Sequence, residues 1–371
     1  MSGSKGGISS FIKNKALALC DENVVFDVIS FEEVEEPFKR AIENTGGKIY
    51  KVPNPKIKGF KMFKSEVLKV YENQPDKFII HSHIQGHRML PFYYLSKKFS
   101  PERFIVHAHT DADEVKKKRL QSKLDRIINN TIKIEYASCG IKASEFTFGS
   151  KLIKDGRIMH IPNSINVDNF SKTIEKSELD KLRSEILPGI SADTLIIGSV
   201  ARFQRQKNHP FMVEIISELN DKNVDFVWLF IGEGVLKPDI EKLVHEKGLS
   251  KHVKFLGRRN DIHKLYKVMD IFALPSFYEG LPTVSIEAQA SGTMTYMSDT
   301  ITKESDLKLD LVKFIPIDDP EKWATKIVDY KPRNVQLDTI KERLVKQKFT
   351  NETSAELYND FLKNKIQSYM I

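Results

Sequence analysis

The chain has 371 residues, 40% hydrophobic and 29% charged, with two cysteines and a formal net charge of +8. That length suits two domains of ordinary size, each able to bury a core. No apolar run reaches the ~18 residues of a membrane-spanning helix, and no charged-then-apolar leader opens the chain. Cys20 and Cys139 are too few for a disulfide framework, so the expected setting is cytoplasmic and reducing. The charge is one-sided. Residues 1–165 hold 28 Lys and Arg against 19 Asp and Glu, while residues 166–371 hold 30 against 31. An excess confined to one half implies an anionic partner such as a phospholipid surface, a phosphorylated acceptor or nucleic acid.

In chain order, Ser4-Lys5-Gly6-Gly7 is a Gly-rich loop that runs into a helical stretch, Ile8–Ala18. Short β-rich runs follow at Val24–Ile29, Lys48–Val52, Phe78–His81, Phe104–Ala108, Lys133–Ala137 and Ile158–Ile161. Helical patterns at Pro37–Asn44 and Lys61–Glu72 lie among them. Pro162 and the Asn/Ser/Asp cluster after it mark a boundary, which divides the chain into residues 1–165 and 166–350. Beyond it the alternation resumes, with strands at Thr194–Val200, Asp225–Ile231, Val253–Leu256, Ile271–Leu274, Thr293–Met297 and Lys313–Ile315. Helices at Pro210–Asn220, Lys237–Lys247, Asp261–Val268 and Val284–Ala290 separate several of them. Thr353–Gln367, within a terminal piece 351–371, reads as a last amphipathic helix. Alternating strand and helix twice over predicts an α/β protein with two doubly wound parallel sheets.

The most specific stretch is Phe272-Ala-Leu-Pro-Ser-Phe-Tyr-Glu-Gly-Leu-Pro-Thr-Val-Ser-Ile-Glu287. It predicts a strand, a loop carrying Glu279-Gly280, and a helix with Pro282 in its first turn. The N–H groups of Leu281, Thr283 and Val284 then face an anion at the positive end of the helix dipole. Glu279 stands at the mouth of that site, and Glu287 lies about 7.5 Å further along the helix. Two carboxylates flanking an anion site match a nucleotide-diphosphate sugar, with hydroxyls on both sides of its phosphates. Upstream, Arg202 at a strand end and Lys207 five residues later can converge on one diphosphate and stabilise it as a leaving group.

Gly198-Ser-Val-Ala-Arg202, Lys207-Asn-His, Phe230-Ile-Gly-Glu-Gly234, Val253-Lys-Phe-Leu-Gly257 and Glu279-Gly-Leu-Pro…Glu287 together resemble glycosyltransferase family 4, across most of the C-terminal half. The resemblance implies the GT-B architecture: two Rossmann-like domains facing a central cleft, with a C-terminal helix crossing back to the N-terminal domain. It implies a retaining transfer without a bound metal or other cofactor. Arg202 and Lys207 would hold the diphosphate, Glu287 the ribose hydroxyls, Glu279 the donor sugar, and Gly257-Arg258 would lie near the base.

The N-terminal half resembles the same family more loosely, through Pro162-Asn-Ser-Ile-Asn-Val-Asp168 and the pairs His81-Ser-His83 and His107-Ala-His109. The resemblance places His109 at the donor sugar and Gly6-Gly7 in an acceptor-side loop. Its closest likeness is to bacterial exopolysaccharide and capsule members. It also puts a first strand ahead of the Gly-Gly loop, so a native start upstream of Met1 is expected.

Two His-x-His pairs could bind zinc, but no cysteine accompanies them and the family dispenses with metals. Asp111-Ala-Asp113 belongs to the metal-binding pattern of a different glycosyltransferase fold and reads here as a helix cap. Gly232-x-Gly234 is too short for a dinucleotide fingerprint. Glu114–Ile128, with its basic side Lys116–Arg126, is an amphipathic helix suited to anionic lipid. Nucleic acid is not expected, since no aromatic interleaving accompanies the charge. The function expected is transfer of a sugar from a nucleotide-diphosphate donor, UDP by preference, to a saccharide or polyprenyl-diphosphate-linked acceptor at the inner membrane face. The alternatives are a catalytically silent GT-B partner protein and a UDP-sugar epimerase.

Overall fold

The computed structural model describes residues 7–109 and 118–366, with side chains from Lys123 onward in the helix that starts at Lys118. Gly6, the Asp111-Ala-Asp113 triplet and residues 114–117 of the basic stretch lie outside those ranges. The chain forms two compact units, one of Met1–Ser164 with Lys348–Ile371 and the other of Ile165–Gln347.

Among the described residues there are twelve strands: β1 Val28–Ser30, β2 Ile49–Lys51, β3 Ile79–Ser82, β4 Arg103–Ala108, β5 Glu135–Ser138, β6 Ile158–His160, β7 Leu195–Val200, β8 Phe226–Ile231, β9 Val253–Gly257, β10 Ile271–Leu274, β11 Met294–Ser298 and β12 Val312–Ile315. Every strand pair is parallel. Parallel strands joined by helices are covered on both faces, which explains why the central runs are apolar throughout and not alternating.

The second unit is one six-stranded sheet in the order β12-β11-β10-β7-β8-β9. From β7 the chain winds outward through β8 and β9, and from β10 it winds the other way through β11 and β12. The direction therefore reverses between β7 and β10, and the loops that follow these two strands open side by side. Trp228, Phe272, Leu274, Tyr266 and Met297 are fully buried in its core, each contributing about 1.5–3 kcal/mol of transfer free energy. The helix His209–Asp221 takes Pro210 in its first turn and buries Met212, Val213, Ile216 and Leu219 at helical spacing.

The first unit arranges its strands differently. Among the described residues they fall into two sheets, β1-β2 and β3-β4-β5-β6. A cavity of about 600 Å³ lies between them, lined by Val28 and Ile29 of β1, Ile79, Ile80 and His81 of β3, and Phe11 and Ile12 of the first helix. That helix, Gly7–Ala18, buries Phe11, Ile12, Lys15 and Ala16. It shares a core with the last helix, Asn351–Leu362, through Ala355, Leu357, Tyr358 and Phe361. Thr350 caps this last helix by accepting the N–H of Thr353 at 3.1 Å. Arg103 fastens its end to the sheet, donating to the carbonyls of Phe361 and Leu362 while pairing with Glu135.

Lys118–Thr131 is helical, as the basic stretch predicts. Asp125 accepts from the N–H of His87 at 2.8 Å, Arg126 donates to the carbonyl of Phe146 at 2.8 Å, and Asn129 donates to that of Thr147 at 3.2 Å. These polar side chains bind the unit. Leu124 and Ile127 instead point outward, 52% and 60% exposed. Arg126, read from the sequence as a lipid-facing cation, is thus spent on a carbonyl.

Candidate nucleotide-sugar site

The second unit concentrates its polar chemistry at the reversal point between β7 and β10. After β7 the chain crosses Ala201–Gln204 into a tight turn, Arg205–Lys207, which Asn208 closes with φ of 57°. After β10 it passes through Pro275–Tyr278 to Glu279. The two loops are locked together: Phe277 donates its N–H to the Gln206 carbonyl at 2.9 Å, and the Gln206 amide donates to the Tyr278 carbonyl at 2.9 Å. Lys207 Nζ then meets Glu279 Oε1 at 2.5 Å, and Gln206 reaches Glu279 Oε2 at 3.3 Å. Both charges are nearly buried, with side-chain exposures of 16% and 8%. A charge pair held this far from water keeps much of its strength and, aimed at a ligand, acts with little reorganisation. Arg202 lies on the same loop, exposed and in no ion pair among the described residues.

The helix Thr283–Ala290 begins where these loops end. Pro282 is its cap residue, one position before the first turn in which the sequence placed it. Its carbonyl accepts from the N–H of Ser285 at 3.1 Å and from the Ser285 hydroxyl at 2.9 Å. No side chain caps the helix, and Thr283 and Val284 find no acceptor for their N–H groups among the described residues. Leu281, expected to offer a third N–H, is buried in the turn that leads into the helix. An uncapped N-terminus with two open donors beside a lysine is suited to a phosphate. Gly280 is buried in the connecting turn.

Glu287 sits one turn into this helix and bonds the Tyr266 hydroxyl at 3.1 Å. Burial pushes its carboxyl up to about 7, and the Tyr266 hydrogen bond pulls the other way. A carboxyl near neutrality can accept or donate, as hydroxyl recognition requires. Tyr266 and Gln206 are site residues that the sequence did not reveal. Each reaches its carboxylate from a different segment of the chain, a juxtaposition without sequence spacing.

Gly232-Glu-Gly234, set aside as a fingerprint, has a clear packing role. A Cβ on Gly232 would lie 2.1 Å from the Ala201 carbonyl oxygen, and one on Gly234 would lie 2.5 Å from that of Phe203. Bare backbone lets the loop after β8 press on the loop after β7, where Phe203 donates its N–H to the Glu233 carbonyl at 3.1 Å. Gly257 ends β9 beside them, its carbonyl accepting from the Gly232 N–H at 2.8 Å. Arg258 follows it, exposed.

The sequence-predicted residues of the first unit cluster around the ends of β3 and β4. His81 bonds His107 at 3.1 Å and the Tyr358 hydroxyl at 2.5 Å, and His83 bonds His109 at 2.8 Å. The Phe11 ring stands edge-on to all four imidazoles. Burial lowers His81 and His109 to about 3 and holds His83 and His107 well below the usual histidine range. All four are therefore neutral near pH 7. Nitrogens of His81, His83 and His107 lie within 4.8 Å of one another. The His81 and His107 rings are stacked 7° from parallel and bonded to each other, which occupies nitrogens a metal would need. His109 keeps a buried Nδ1 without a partner among the described residues. Gly7 opens the first helix, 3.9 Å from the Asn163 amide if it carried a Cβ.

Two Rossmann-like units on one chain, with the last helix returned to the first unit, define a GT-B protein. Comparison with known proteins agrees. Residues 183–330 match the family described as Glycosyl transferases group 1. The chain is 29% identical to EpsF of Bacillus subtilis, itself assigned provisionally as a glycosyltransferase, over 87% of this chain and 84% of that one. It is 27% identical to the Escherichia coli UDP-Gal:alpha-D-GlcNAc-diphosphoundecaprenol alpha-1,3-galactosyltransferase, over 51% of this chain and 50% of that one. Among solved structures, a glycosyltransferase of Rickettsia africae superposes with a TM-score of 0.75 at 16% identity, covering 98% of this chain and 97% of that one. HepE of Anabaena, solved with UDP-glucose, superposes at 0.74 with 16% identity and 98% of both chains covered. The second unit thus carries the match to the group 1 glycosyl transferases, and the chain as a whole resembles glycosyltransferases in sequence and in fold.

Proposed function

We propose that this enzyme moves a sugar from a nucleotide-diphosphate donor, a UDP-sugar, to a saccharide hydroxyl on a lipid-linked acceptor, with retention at the anomeric carbon. The observation that carries the reading is the nearly buried Lys207–Glu279 pair set beside the open N-terminus of the helix Thr283–Ala290. Lys207, Arg202 and the Thr283 and Val284 N–H groups hold the diphosphate and stabilise the charge that builds on it as the glycosidic C–O bond breaks. Glu279 orients Lys207 and meets the donor sugar, while Glu287, held from behind by the Tyr266 hydroxyl, receives the ribose hydroxyls. The acceptor oxygen attacks from the face the phosphate leaves, and its proton passes to the departing phosphate oxygen. These groups supply the positive charge, so the proposed reaction runs without a metal, and a chelator leaves turnover unchanged.

The relatives support the donor and acceptor classes. The Escherichia coli relative is named for a UDP-Gal donor and a diphosphoundecaprenol-linked acceptor, and HepE was solved with UDP-glucose. We assign the acceptor to cell-surface glycan synthesis of the exopolysaccharide or capsule kind. The exposed Leu124 and Ile127, with Lys123, offer the enzyme a contact with the inner membrane face.

The test is a panel of nucleotide sugars with free nucleotide followed, with and without a lipid-linked saccharide. Acceptor-dependent release is expected with a UDP-sugar. Lys207→Ala and Glu279→Ala should each lower it by at least about 100-fold. Near-normal turnover in either variant overturns the site, and sugar isomerisation without transfer overturns the reaction.

A further inference from the structure

The first unit carries a surface element whose composition no transfer step uses. Between Glu43 and Glu66 the chain holds six lysines and no acidic residue. Seven consecutive residues within that span, Lys56-Ile-Lys-Gly-Phe-Lys-Met62, are all exposed. Ile57 is 76% exposed, Phe60 53% and Met62 54%.

This segment is a built corner. Asn54 accepts the Lys56 N–H at 3.0 Å and caps the short helix Pro55–Lys58. Gly59, at φ 82° and ψ 153°, then turns the chain into the helix Phe60–Glu72. That backbone conformation is essentially confined to glycine, so the corner is set by the sequence. The helix is fixed from behind: Phe63, Val67, Val70 and Tyr71 are buried, and Phe63 meets Phe92 edge-on at 5.2 Å. Among the described residues, Lys56, Lys58, Lys61 and Lys64 are in no ion pair. The core takes Phe63 and leaves Ile57, Phe60 and Met62 exposed, interleaved along the chain with four cations in no ion pair among the described residues.

Exposed apolar side chains alternating with lysines suit a lipid interface, where the first enter the acyl boundary and the second meet anionic headgroups. We infer that the corner Lys56–Met62 docks this enzyme on an anionic bilayer. The inference rests on the lipid-linked acceptor reading, because docking on a membrane brings the transferase to such an acceptor.

The test uses the full chain and vesicles of phosphatidylcholine mixed with phosphatidylglycerol, followed by co-sedimentation. Wild type should bind these and leave pure phosphatidylcholine vesicles in solution. Replacing Lys56, Lys58, Lys61 and Lys64 by Gln should weaken binding by about tenfold or more and flatten its salt dependence. Ile57→Ser with Phe60→Ser and Met62→Ser should remove the fraction that survives high salt. Both variants should keep the wild-type melting temperature and UDP affinity. Wild-type binding in both corner variants, or equal binding to neutral vesicles, overturns the inference. So does loss of binding only when Leu124 and Ile127 are replaced by Ser. Lys207→Ala should bind vesicles normally, so a failed transfer reading and a failed docking reading give different results.

Discussion

Both units are parallel sheets wrapped in helices, yet they handle ionisable groups in opposite ways. The second unit keeps its charges in partnership at a loop junction, Lys207 with Glu279, above an uninterrupted six-stranded sheet. The first unit takes titratable groups inside. Four histidines pack against Phe11, and Lys15 is fully buried, donating to Ser354 and lowered to about 7 by that burial. The histidines fold in their neutral forms, so protons oppose the first unit more than the second, where the buried His209, lowered to about 4, responds in the same direction.

The largest effect expected from this contrast is an acid lability greater in the first unit than in the second. The first unit's buried histidines have folded-state values far below the ordinary 6.5, at about 3 for His81 and His109. Between those values the unfolded chain binds more protons than the folded one, so stability rises with pH there and is lost on acidification below 6.5. Hydrogen exchange between pH 6.5 and 4.5 should show the first unit, with its four clustered histidines, opening ahead of the second. Simultaneous opening would break the comparison. Next in size is Gly234→Ala. The new methyl meets main-chain atoms of Phe203, which cannot rotate aside, at a cost of about 1–3 kcal/mol. Donor KM should rise through the displaced turn Arg205–Lys207, and the acid response of the first unit should not change. The smallest effect is that of Tyr266→Phe. Without the hydroxyl that holds it down, Glu287 should titrate above its present value of about 7, a shift worth about 1 kcal/mol or less. The acid limb of the donor KM profile should move to higher pH by a fraction of a unit.

Much of the second unit was legible in its residues. Ile271–Leu274 is a strand to the residue, because a buried parallel strand is written as an uninterrupted apolar run ended by Pro275. Glu279 and Lys207 were legible as candidates, and their mutual contact was not, since it depends on two loops locking through Gln206. The first unit was harder to read. Val24–Phe26 carry strand-forming residues, yet only Val28–Ser30 pairs, and Val25 is 59% exposed. Propensity for a strand does not provide a neighbour to bond with. The basic helix after Lys118 was legible as a helix, but the inward bonds of Asn129 and Asp125 were not, because they rest on acceptors and donors that a hydrophobicity pattern does not foresee.

The cavity between β1 and β3 also bears on dispersion energy. Apolar side chains of Phe11, Ile12, Val28 and Ile79 border its volume of about 600 Å³ together with Asp27, Lys77, Glu102 and Lys363. An apolar group beside such space has fewer close neighbours than one in a filled core and forgoes part of its dispersion attraction. Ile79, half-buried on this cavity, therefore lacks attraction that the fully buried Phe272 and Met297 obtain in the second unit.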